Sequence, residues 1–345
     1  MTVKETTHMK NVSWLLLGAG NIAKIRAGAA LRDAAGSELV AICDRDRDRA
    51  EALAAQLQLP VAIYSDYDQA LAESGAEAVY VATQAPAHVP CSLKAMAAGK
   101  HFLCEKPLGV DGKDAAVLYQ AAKNSPLVCS CSDYRRLSEH IKLLENLVRS
   151  GELGELTFGW MNWIASAQAC GNTPLSRAAG GSPLKTLAFY IFDIVHNLFG
   201  IPVSVQAAAA RHFNPSNDTE DVSAVIMRFP NGALFSLNVV ITPWARNDRI
   251  EFHGTNGLVI MNQWPPSGNG PIIINTQAGG QRSVTPVTNT NWHLPMVEDF
   301  CQAVRQKRAP VCTIRSAYVT ELITDAVFRA MDSGKEEKVL TEGLL

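Results

Sequence analysis

Residues 180–200 carry a set of polar side chains at helical spacing. Four of them fall at i, i+4, i+7 and i+11, which is one face of an α-helix: Thr186, Tyr190, Asp193 and Asn197. The positions between them are almost all apolar, so the sequence predicts a buried helix over 184–199. Buried polar groups need hydrogen-bond partners. The polar face is therefore either an internal hydrogen-bond seam or the wall of a pocket.

The tripeptide Glu105-Lys106-Pro107 directly follows an apolar run at 101–104. Ligands of doubly wound sheets bind beyond the carboxyl ends of the strands. A lysine at that position can hydrogen-bond and polarise a reacting oxygen, and the proline after it restricts the backbone. Taken alone, the same tripeptide also describes a surface turn with a salt bridge.

A glycine pattern, Gly18-x-Gly20-x-x-Ala23, joins the apolar run at 12–17 to a helical pattern over 21–34. The first glycine permits a tight turn, the second lets the backbone approach a pyrophosphate, and the small residue allows close packing of the helix on the strand. The helix begins where the phosphates would lie. The predicted dinucleotide-binding turn comprises Gly18, Gly20, Asn21, Ile22 and Ala23.

The next apolar run, 39–43, ends in Asp44, 26 residues after Gly18 (44 − 18). A carboxylate at the end of the second strand accepts hydrogen bonds from the adenosine ribose, which favours NAD. Arg45 follows at once, and an arginine there can instead bind the 2′-phosphate of NADP. We expect NAD, with NADP as the alternative.

Apolar runs alternate with helical patterns up to about residue 150, and longer alternating segments with Asn-Gly and Pro turns follow. The first pattern predicts a doubly wound parallel sheet, and the second predicts an open, mostly antiparallel sheet on which helix 184–199 packs. Residues 264–291 are expected to form loop and irregular strands. The predicted fold is α/β, with a Rossmann domain at 11–128 and a substrate-binding and oligomerisation domain at 129–345.

The bulk composition excludes several classes of protein. With 345 residues, 47% hydrophobic and 19% charged, the chain has room for two ordinary globular cores. A net charge of −2 gives no indication of a nucleic-acid or anionic-membrane partner. No apolar run reaches the roughly 20 residues of a membrane span. The eight cysteines form no zinc-like CxxC pair, so we expect reduced thiols, no metal, no disulfide and a cytoplasmic protein.

Taken together, the motifs GAGNIA, CDRD, VATQAPAH and GKHFLCEKPL resemble the Gfo/Idh/MocA oxidoreductases, and further segments extend the resemblance over nearly the whole chain. The resemblance implies a Rossmann domain, an α/β domain with an open sheet, and hydride transfer between a nicotinamide and a CH–OH carbon, most often of a sugar or polyol. It implies a small sugar-like substrate, a dimer or tetramer, and a catalytic Lys106. It also places Glu105, Pro107, Thr83, Gln84 and His88 beside the cofactor.

The chain departs from the family pattern in helix 184–199. The family usually has an aspartate, a histidine four residues later and an aspartate three further on, and the alignment places Thr186, Tyr190 and Asp193 there. Tyrosine at the histidine position resembles a subset that includes glucose–fructose oxidoreductase and dimeric dihydrodiol dehydrogenase, where it acts as acid/base. A neighbouring ammonium favours the phenolate form of a tyrosine. We therefore predict that Tyr190 and Lys106 form an acid/base pair, with Thr186 and Asp193 as further catalytic positions.

Two alternatives remain at this point. A cofactor-binding sensor or regulator on the same fold would also lack the usual Asp and His, and a carbonyl or diol reductase would act on a non-sugar ring.

Weaker candidates for the substrate pocket, each equally compatible with a structural role, are Arg135, Trp163 and His293. Lys185 points about 100° away from Thr186 on a helix, which predicts a surface position.

Overall fold

The computed structural model describes residues 10–166, 176–213, 218–244, 247–263 and 270–344. Its strands are β1 (Val12–Leu17), β2 (Ser37–Cys43), β3 (Ala62–Tyr64), β4 (Ala78–Val81), β5 (His101–Cys104), β6 (Cys129–Cys131), β7 (Leu156–Ser166), β8 (Ser204–Ala210), β9 (Val222–Arg228), β10 (Leu234–Thr242), β11 (Asn247–Gly254), β12 (Gly257–Met261), β13 (Ile272–Thr276), β14 (Gly280–Val284) and β15 (Glu337–Lys338).

Its helices are α1 (Gly28–Asp33), α2 (Arg47–Leu57), α3 (Tyr67–Glu73), α4 (Ala85–Ala97), α5 (Gly112–Ala122), α6 (Glu139–Arg149), α7 (Pro183–Thr186), α8 (Phe189–Phe199), α9 (Leu294–Gln306) and α10 (Ile314–Ser333). A π-helical turn, Ala23–Ala27, leads directly into α1. Short 3₁₀ turns lie at Tyr134–Leu137, Arg177–Ala179 and Glu342–Leu344.

The chain forms two compact units that interleave along the sequence. The first comprises the residues up to Glu105 together with Asn124–Ser132 and Asn291–Thr313. The second comprises Lys106–Lys123, Asp133–Thr290 and the residues from Ile314 onward. The domain boundary that the sequence places between residues 128 and 129 stays a prediction.

In the first unit, six strands pair in the order β3-β2-β1-β4-β5-β6, and every pairing is parallel. The central strand β1 is almost entirely buried because helices cover both faces of such a sheet. Leu17 lies in register with Cys43 and Val81, and Val81 lies in register with Cys104. The carboxyl ends of four strands therefore share one edge. The prediction of a doubly wound parallel sheet is confirmed.

In the described part of the second unit, nine strands pair in the order β14-β13-β12-β11-β7-β10-β9-β8-β15. All neighbours are antiparallel except β7 and β10, which run parallel. Burial alternates along β9, as expected for a sheet with one covered face. Phe199 of α8 stacks on Phe229 with ring centroids 4.9 Å apart, which confirms that this helix packs on the mostly antiparallel sheet.

Two details of the sequence prediction are corrected. The predicted helix 184–199 is broken after Thr186 into α7 and α8, so the polar positions do not share one continuous helix. The segment 264–291 contains a regular hairpin, β13 and β14, paired from Ile272 with Val284 to Thr276 with Gly280. Residues 264–269 of that segment lie outside the described part of the chain.

Within the described residues, no helix combines the length and the apolar character needed to cross a membrane. The seven described cysteines are free thiols, and Cys170 lies outside the described residues. The described part of the chain holds no cluster of three His, Cys, Asp or Glu side chains arranged to bind a metal ion.

Candidate active site

The glycine turn after β1 has the backbone geometry that a dinucleotide requires. Gly18 has φ +99°, and a Cβ there would lie 2.7 Å from the carbonyl oxygen of Ala82, so only glycine fits. A Cβ on Gly20 would meet nothing within 4 Å. The backbone at Gly20 therefore faces open space, where a pyrophosphate can approach it. Ala23 is fully buried, and its small side chain allows the close packing of the helix that the sequence predicts.

Asp44 lies directly after β2 and is fastened to the glycine turn. Its Oδ2 accepts a hydrogen bond of 2.7 Å from the backbone N–H of Ala19, and its Oδ1 accepts one of 2.9 Å from Asp46 N–H. These bonds fix the carboxylate at the edge where the ribose of a dinucleotide lies. Arg45 is exposed, as are its neighbours at the start of α2, and Asn21 is exposed on the glycine turn.

The turn between β4 and α4 is held by His88. His88 is 2% exposed, and its Nε2 lies 3.0 Å from the carbonyl oxygen of Thr83. Gln84 is the N-cap residue of α4, without a side-chain capping bond. The hydroxyl of Thr83 is buried and has no hydrogen-bond partner among the described residues. A buried hydroxyl without a partner fits the expectation of a cofactor at this edge.

Glu105 ends the first unit in a buried hydrogen-bond network. Its Oε1 accepts a hydrogen bond of 2.7 Å from the Tyr80 hydroxyl, whose oxygen lies 3.0 Å from His293 Nδ1. Burial, followed by the charge of Glu105, raises the pKa of Tyr80. The sequence does not single out Tyr80, because a tyrosine in an apolar strand looks like core. His293, which is 1% exposed, is therefore buried in the first unit, where it contacts Tyr80.

In the second unit, Lys106 is anchored at the break between α7 and α8. Its Nζ donates a hydrogen bond of 2.8 Å to the carbonyl oxygen of Thr186, and the peptide bond to Pro107 is cis. The last carbonyls of a helix have no partner within that helix. Because α7 ends at Thr186, the break presents this carbonyl to Lys106. The hydroxyl of Thr186 is turned back to the carbonyl of Ser182 at 2.6 Å.

Tyr190 lies at the centre of an aromatic and cationic cluster. Its ring centroid is 5.1 Å from Lys106 Nζ, 4.8 Å from Arg135 Cζ and 5.0 Å from the ring of Tyr134. Arg135 Cζ also lies 5.4 Å from the centroid of Trp163. Positive groups over aromatic faces are attracted by the ring quadrupole. Tyr190, Arg135 and Trp163 are only 5–6% exposed, so any ligand reaching them loses its water.

Asp193 lies one turn further along α8 and contacts a different set of residues. Its carboxylate accepts a hydrogen bond of 2.5 Å from Ser316 Oγ, and lies 3.6 Å from Arg136 Nε and 3.4 Å from His196 Nε2. Burial by itself raises the pKa of Asp193, but the bond from His196 and the charge of Arg136 outweigh burial and lower it. These contacts favour an ionised carboxylate with a structural role.

Lys185 is buried, so the predicted surface position is wrong. It is 1% exposed, and its Nζ lies 2.8 Å from Glu321 Oε2 and 2.8 Å from the carbonyl oxygen of Val110. Helical geometry alone indicates which way a side chain points but not what packs against it. Glu321, which neutralises Lys185, is distant in the sequence and belongs to α10.

Two family models match the chain. The model described as "Oxidoreductase family, NAD-binding Rossmann fold" matches residues 12–132, and the one described as "GFO/IDH/MocA C-terminal domain" matches residues 141–260. The chain belongs to the Gfo/Idh/MocA oxidoreductase family. Its first unit is therefore an NAD-binding Rossmann fold. The contacts predicted between the cofactor and Gly18, Gly20, Asp44 and Thr83 stay a prediction.

Relatives in the Gfo/Idh/MocA family extend over most of the chain. Trans-1,2-dihydrobenzene-1,2-diol dehydrogenase of Mus musculus is 28% identical over 258 residues, which are 72% of either chain. The structure of levoglucosan dehydrogenase in complex with NADH and L-sorbose has a TM-score of 0.86 at 21% identity, covering 96% of this chain and 100% of the other. A putative myo-inositol dehydrogenase from Sinorhizobium meliloti 1021 has a TM-score of 0.78 at 22% identity, with the same coverage. These structural likenesses show the fold.

The second unit of this Gfo/Idh/MocA chain brings together Lys106, Thr186 and Tyr190. Asp193 instead contacts Ser316 of α10 and Arg136. At the first two positions of the usual Asp, His and Asp pattern, the chain carries Thr186 and Tyr190. Thr186 contributes its backbone carbonyl rather than its hydroxyl to Lys106. The roles predicted for these four residues remain proposals.

Proposed function

We propose that this protein is an NAD-dependent dehydrogenase that interconverts a secondary alcohol and a ketone on a sugar, polyol or sugar derivative, with Lys106 and Tyr190 as its acid/base pair. The observation that carries the proposal is the position of the Lys106 ammonium, 2.8 Å from the carbonyl oxygen of Thr186 and 5.1 Å from the centroid of the Tyr190 ring. An anchored ammonium thus lies over the ring of a tyrosine.

Lys106 binds and polarises the substrate oxygen. An ammonium carries three N–H donors, and the bond to Thr186 fixes the direction in which the others point. A positive charge beside the carbinol oxygen stabilises the negative charge that develops there as the O–H bond breaks. In the reverse direction, the same charge polarises the ketone.

Tyr190 moves the proton. When the alcohol is oxidised, its hydroxyl proton passes to the phenolate oxygen of Tyr190 as the C–O double bond forms. NAD, when bound, would accept the hydride that leaves the carbinol carbon. Tyr190 is buried and the Lys106 ammonium lies 5.1 Å from its ring centroid, so water screens the electrostatic interaction between the two side chains only weakly.

The relatives support an alcohol on a ring as the substrate class. Their names include a dehydrogenase of trans-1,2-dihydrobenzene-1,2-diol, a levoglucosan dehydrogenase and a putative myo-inositol dehydrogenase. All three names refer to ring compounds with hydroxyl groups on ring carbons. The first, which is not a sugar, also keeps a diol dehydrogenase or reductase of a non-sugar ring as the second candidate.

NAD rather than NADP is the proposed cofactor. Asp44 is fixed by two backbone N–H groups at the end of β2, and its negative charge opposes a 2′-phosphate. Arg45, the alternative ligand for that phosphate, is exposed. We also propose a cytoplasmic homo-dimer or homo-tetramer, supported by apolar side chains on the open sheet such as Phe158 and Ile226, which are 40% and 45% exposed.

The test is reduction of NAD⁺ by the purified protein with levoglucosan, myo-inositol and trans-1,2-dihydrobenzene-1,2-diol as the alcohols, alongside the variant Lys106→Met. We expect turnover of at least one compound, a fall in kcat of about 10²-fold or more in the variant, and unchanged NADH binding. NADH binding without turnover of any ring alcohol would favour the sensor instead. Full activity in Lys106→Met would refute the acid/base pair.

A further inference from the structure

The loop that carries Lys106 is held at both ends by consecutive residues. We call residues 106–110 the Lys106 loop. At its start, Lys106 Nζ donates to the carbonyl oxygen of Thr186 at 2.8 Å. At its end, the carbonyl oxygen of Val110 accepts a hydrogen bond of 2.8 Å from Nζ of Lys185. The dipeptide Lys185-Thr186 of α7 therefore contacts both ends of the loop.

The middle of the Lys106 loop is held by α10. Leu108 N–H donates a hydrogen bond of 2.8 Å to Oε1 of Glu321, and the other oxygen of this carboxylate lies 2.8 Å from Lys185 Nζ. One turn further along α10, Asp325 accepts a bond of 2.9 Å from Gly112 N–H. A Cβ on Gly112 would overlap that carboxylate, so the glycine allows the close approach. The helix thus presents two carboxylates to the backbone around the loop.

The burial of this ion pair indicates that it does more than stabilise the fold. The side chains of Lys185 and Glu321 are 2% and 0% exposed. Removing two charges from water is costly, and well-packed apolar residues in place of a buried pair are often neutral or stabilising. Apolar residues, however, cannot donate to Val110 or accept from Leu108. What the pair provides that apolar packing cannot is a fixed backbone for the Lys106 loop.

We infer that Lys185 and Glu321 are positioning residues, which hold the Lys106 loop so that the ammonium of Lys106 stays between Thr186 and the ring of Tyr190. The inference rests on the proposed function in one respect, since Lys106 is taken as the group that binds the substrate oxygen. We do not propose that Lys185 or Glu321 contacts the substrate. Their effect on the reaction passes through the backbone of the loop.

The test uses the double variant Lys185→Met/Glu321→Leu, which removes both charges of the pair together, while Asp325 keeps its bond from Gly112 N–H. We expect a folded protein with a Tm below that of the wild type, because Leu108 N–H and the carbonyl of Val110 lose their partners. We also expect faster backbone hydrogen exchange in peptides covering residues 106–112, and a kcat lowered by about 10²-fold, since a misplacement of about 1 Å has such an effect. KM for the alcohol and Kd for NADH are expected to change little.

A second double variant, Lys185→Met/Glu321→Gln, separates the bond that Glu321 accepts from Leu108 from the bond that Lys185 donates to Val110. It also replaces the first variant if that one does not fold. Its amide oxygen still accepts from Leu108, so exchange at 106–112 should return toward the wild-type rate. The kcat should stay low, because the carbonyl of Val110 has lost its donor. Leu184→Met is the matched control, a buried neighbour on α7 whose change removes no bond to the loop.

The possible results separate this inference from the proposed function. A first double variant with wild-type exchange at 106–112, or with kcat within about twofold of the wild type while Lys106→Met is inactive, overturns the positioning role alone. If kcat and Tm both return to the wild-type values in the second double variant, the positioning role is also overturned. The ion pair would then affect the stability of the fold and not the reaction. Full activity in Lys106→Met refutes the proposed function, while the exchange measurement still reports whether the pair holds the loop.

Discussion

The carboxylate of Asp44 accepts a 2.7 Å hydrogen bond from the backbone N–H of Ala19, so the end of β2 is fastened to the glycine turn after β1. This bond lets the carboxylate shape the turn while it stays at the end of β2, where we propose that it binds the ribose. It links the two features that the sequence places 26 residues apart (44 − 18).

Replacing Asp44 by alanine should weaken NADH binding. We expect Kd to rise about 10- to 100-fold, because a hydrogen bond to a charged group contributes about 1.5–3 kcal/mol. Fluorescence titration with NADH measures the change. Asp46→Ala is the control: Asp46 caps α2 by accepting from Arg49 N–H, so its loss should lower stability by about 1 kcal/mol and leave Kd unchanged. Equal NADH affinity in Asp44→Ala and the wild type would contradict the ribose role.

Replacing each of the two glycines of the turn by alanine should change a different property, stability at Gly18 and NADH affinity at Gly20. Gly18→Ala places a Cβ 2.7 Å from Ala82 O at φ +99°, so we expect a loss of stability of at least about 1–2 kcal/mol. Gly20→Ala meets nothing within 4 Å, so it should fold like the wild type but bind NADH more weakly. Thermal unfolding and NADH titration of both variants separate the effects. Unchanged NADH affinity in Gly20→Ala would mean that the pyrophosphate does not approach there.

Much of the fold can be predicted from the sequence because local patterns determine it. In the first unit, β1, β2 and β5 are short apolar runs followed directly by Gly18, Asp44 and Glu105. The parallel pairing of β7 with β10 leaves no such pattern, since it depends on which strands meet after folding.

The candidate site is less predictable, for two physical reasons. The apolar pattern continues through Leu187 and Ala188, so nothing in the spacing indicates that α7 ends at Thr186 and exposes a carbonyl to Lys106. The burial of Lys185 depends on Glu321, which comes from another helix. Residue type and spacing therefore identify Lys106 and Tyr190 as candidates, but the contacts that position them are tertiary.

Tyr190→Phe should lower kcat by about 10²- to 10⁴-fold, the range for loss of a general acid/base. The change removes only the hydroxyl, so the ring still packs against Tyr134 and Arg135, and Kd for NADH should not move. Tyr134→Phe is the matched control, because its ring lies 5.0 Å away and is also buried. The measurement is steady-state reduction of NAD⁺ by whichever ring alcohol the wild type oxidises. Similar kcat values for the two variants would remove Tyr190 from the mechanism.

Asp133 should make the protein less stable as pH rises. Burial and the nearby carboxylate of Asp193 raise its pKa, against the charges of Arg136 and Arg135. Between the ordinary pKa of an aspartate, about 3.9, and this raised value, the folded chain binds more protons than the unfolded chain. The free energy of unfolding therefore falls with rising pH, by up to about 1.4 kcal/mol per unit.

The variant Asp133→Asn isolates this effect, since its amide is neutral at every pH and close in shape to the protonated acid. We expect it to lose the decline in stability above pH of about 4 that the wild type shows, measured by urea unfolding across pH. Asp193→Asn should have the opposite effect on the pH dependence of the free energy of unfolding. Because the pKa of Asp193 is lowered, its ionised form stabilises the fold above the ordinary pKa, and that contribution is lost as pH falls. Parallel pH profiles for the wild type and Asp133→Asn would show that the pKa of Asp133 is the same in the folded and the unfolded chain, contrary to this prediction.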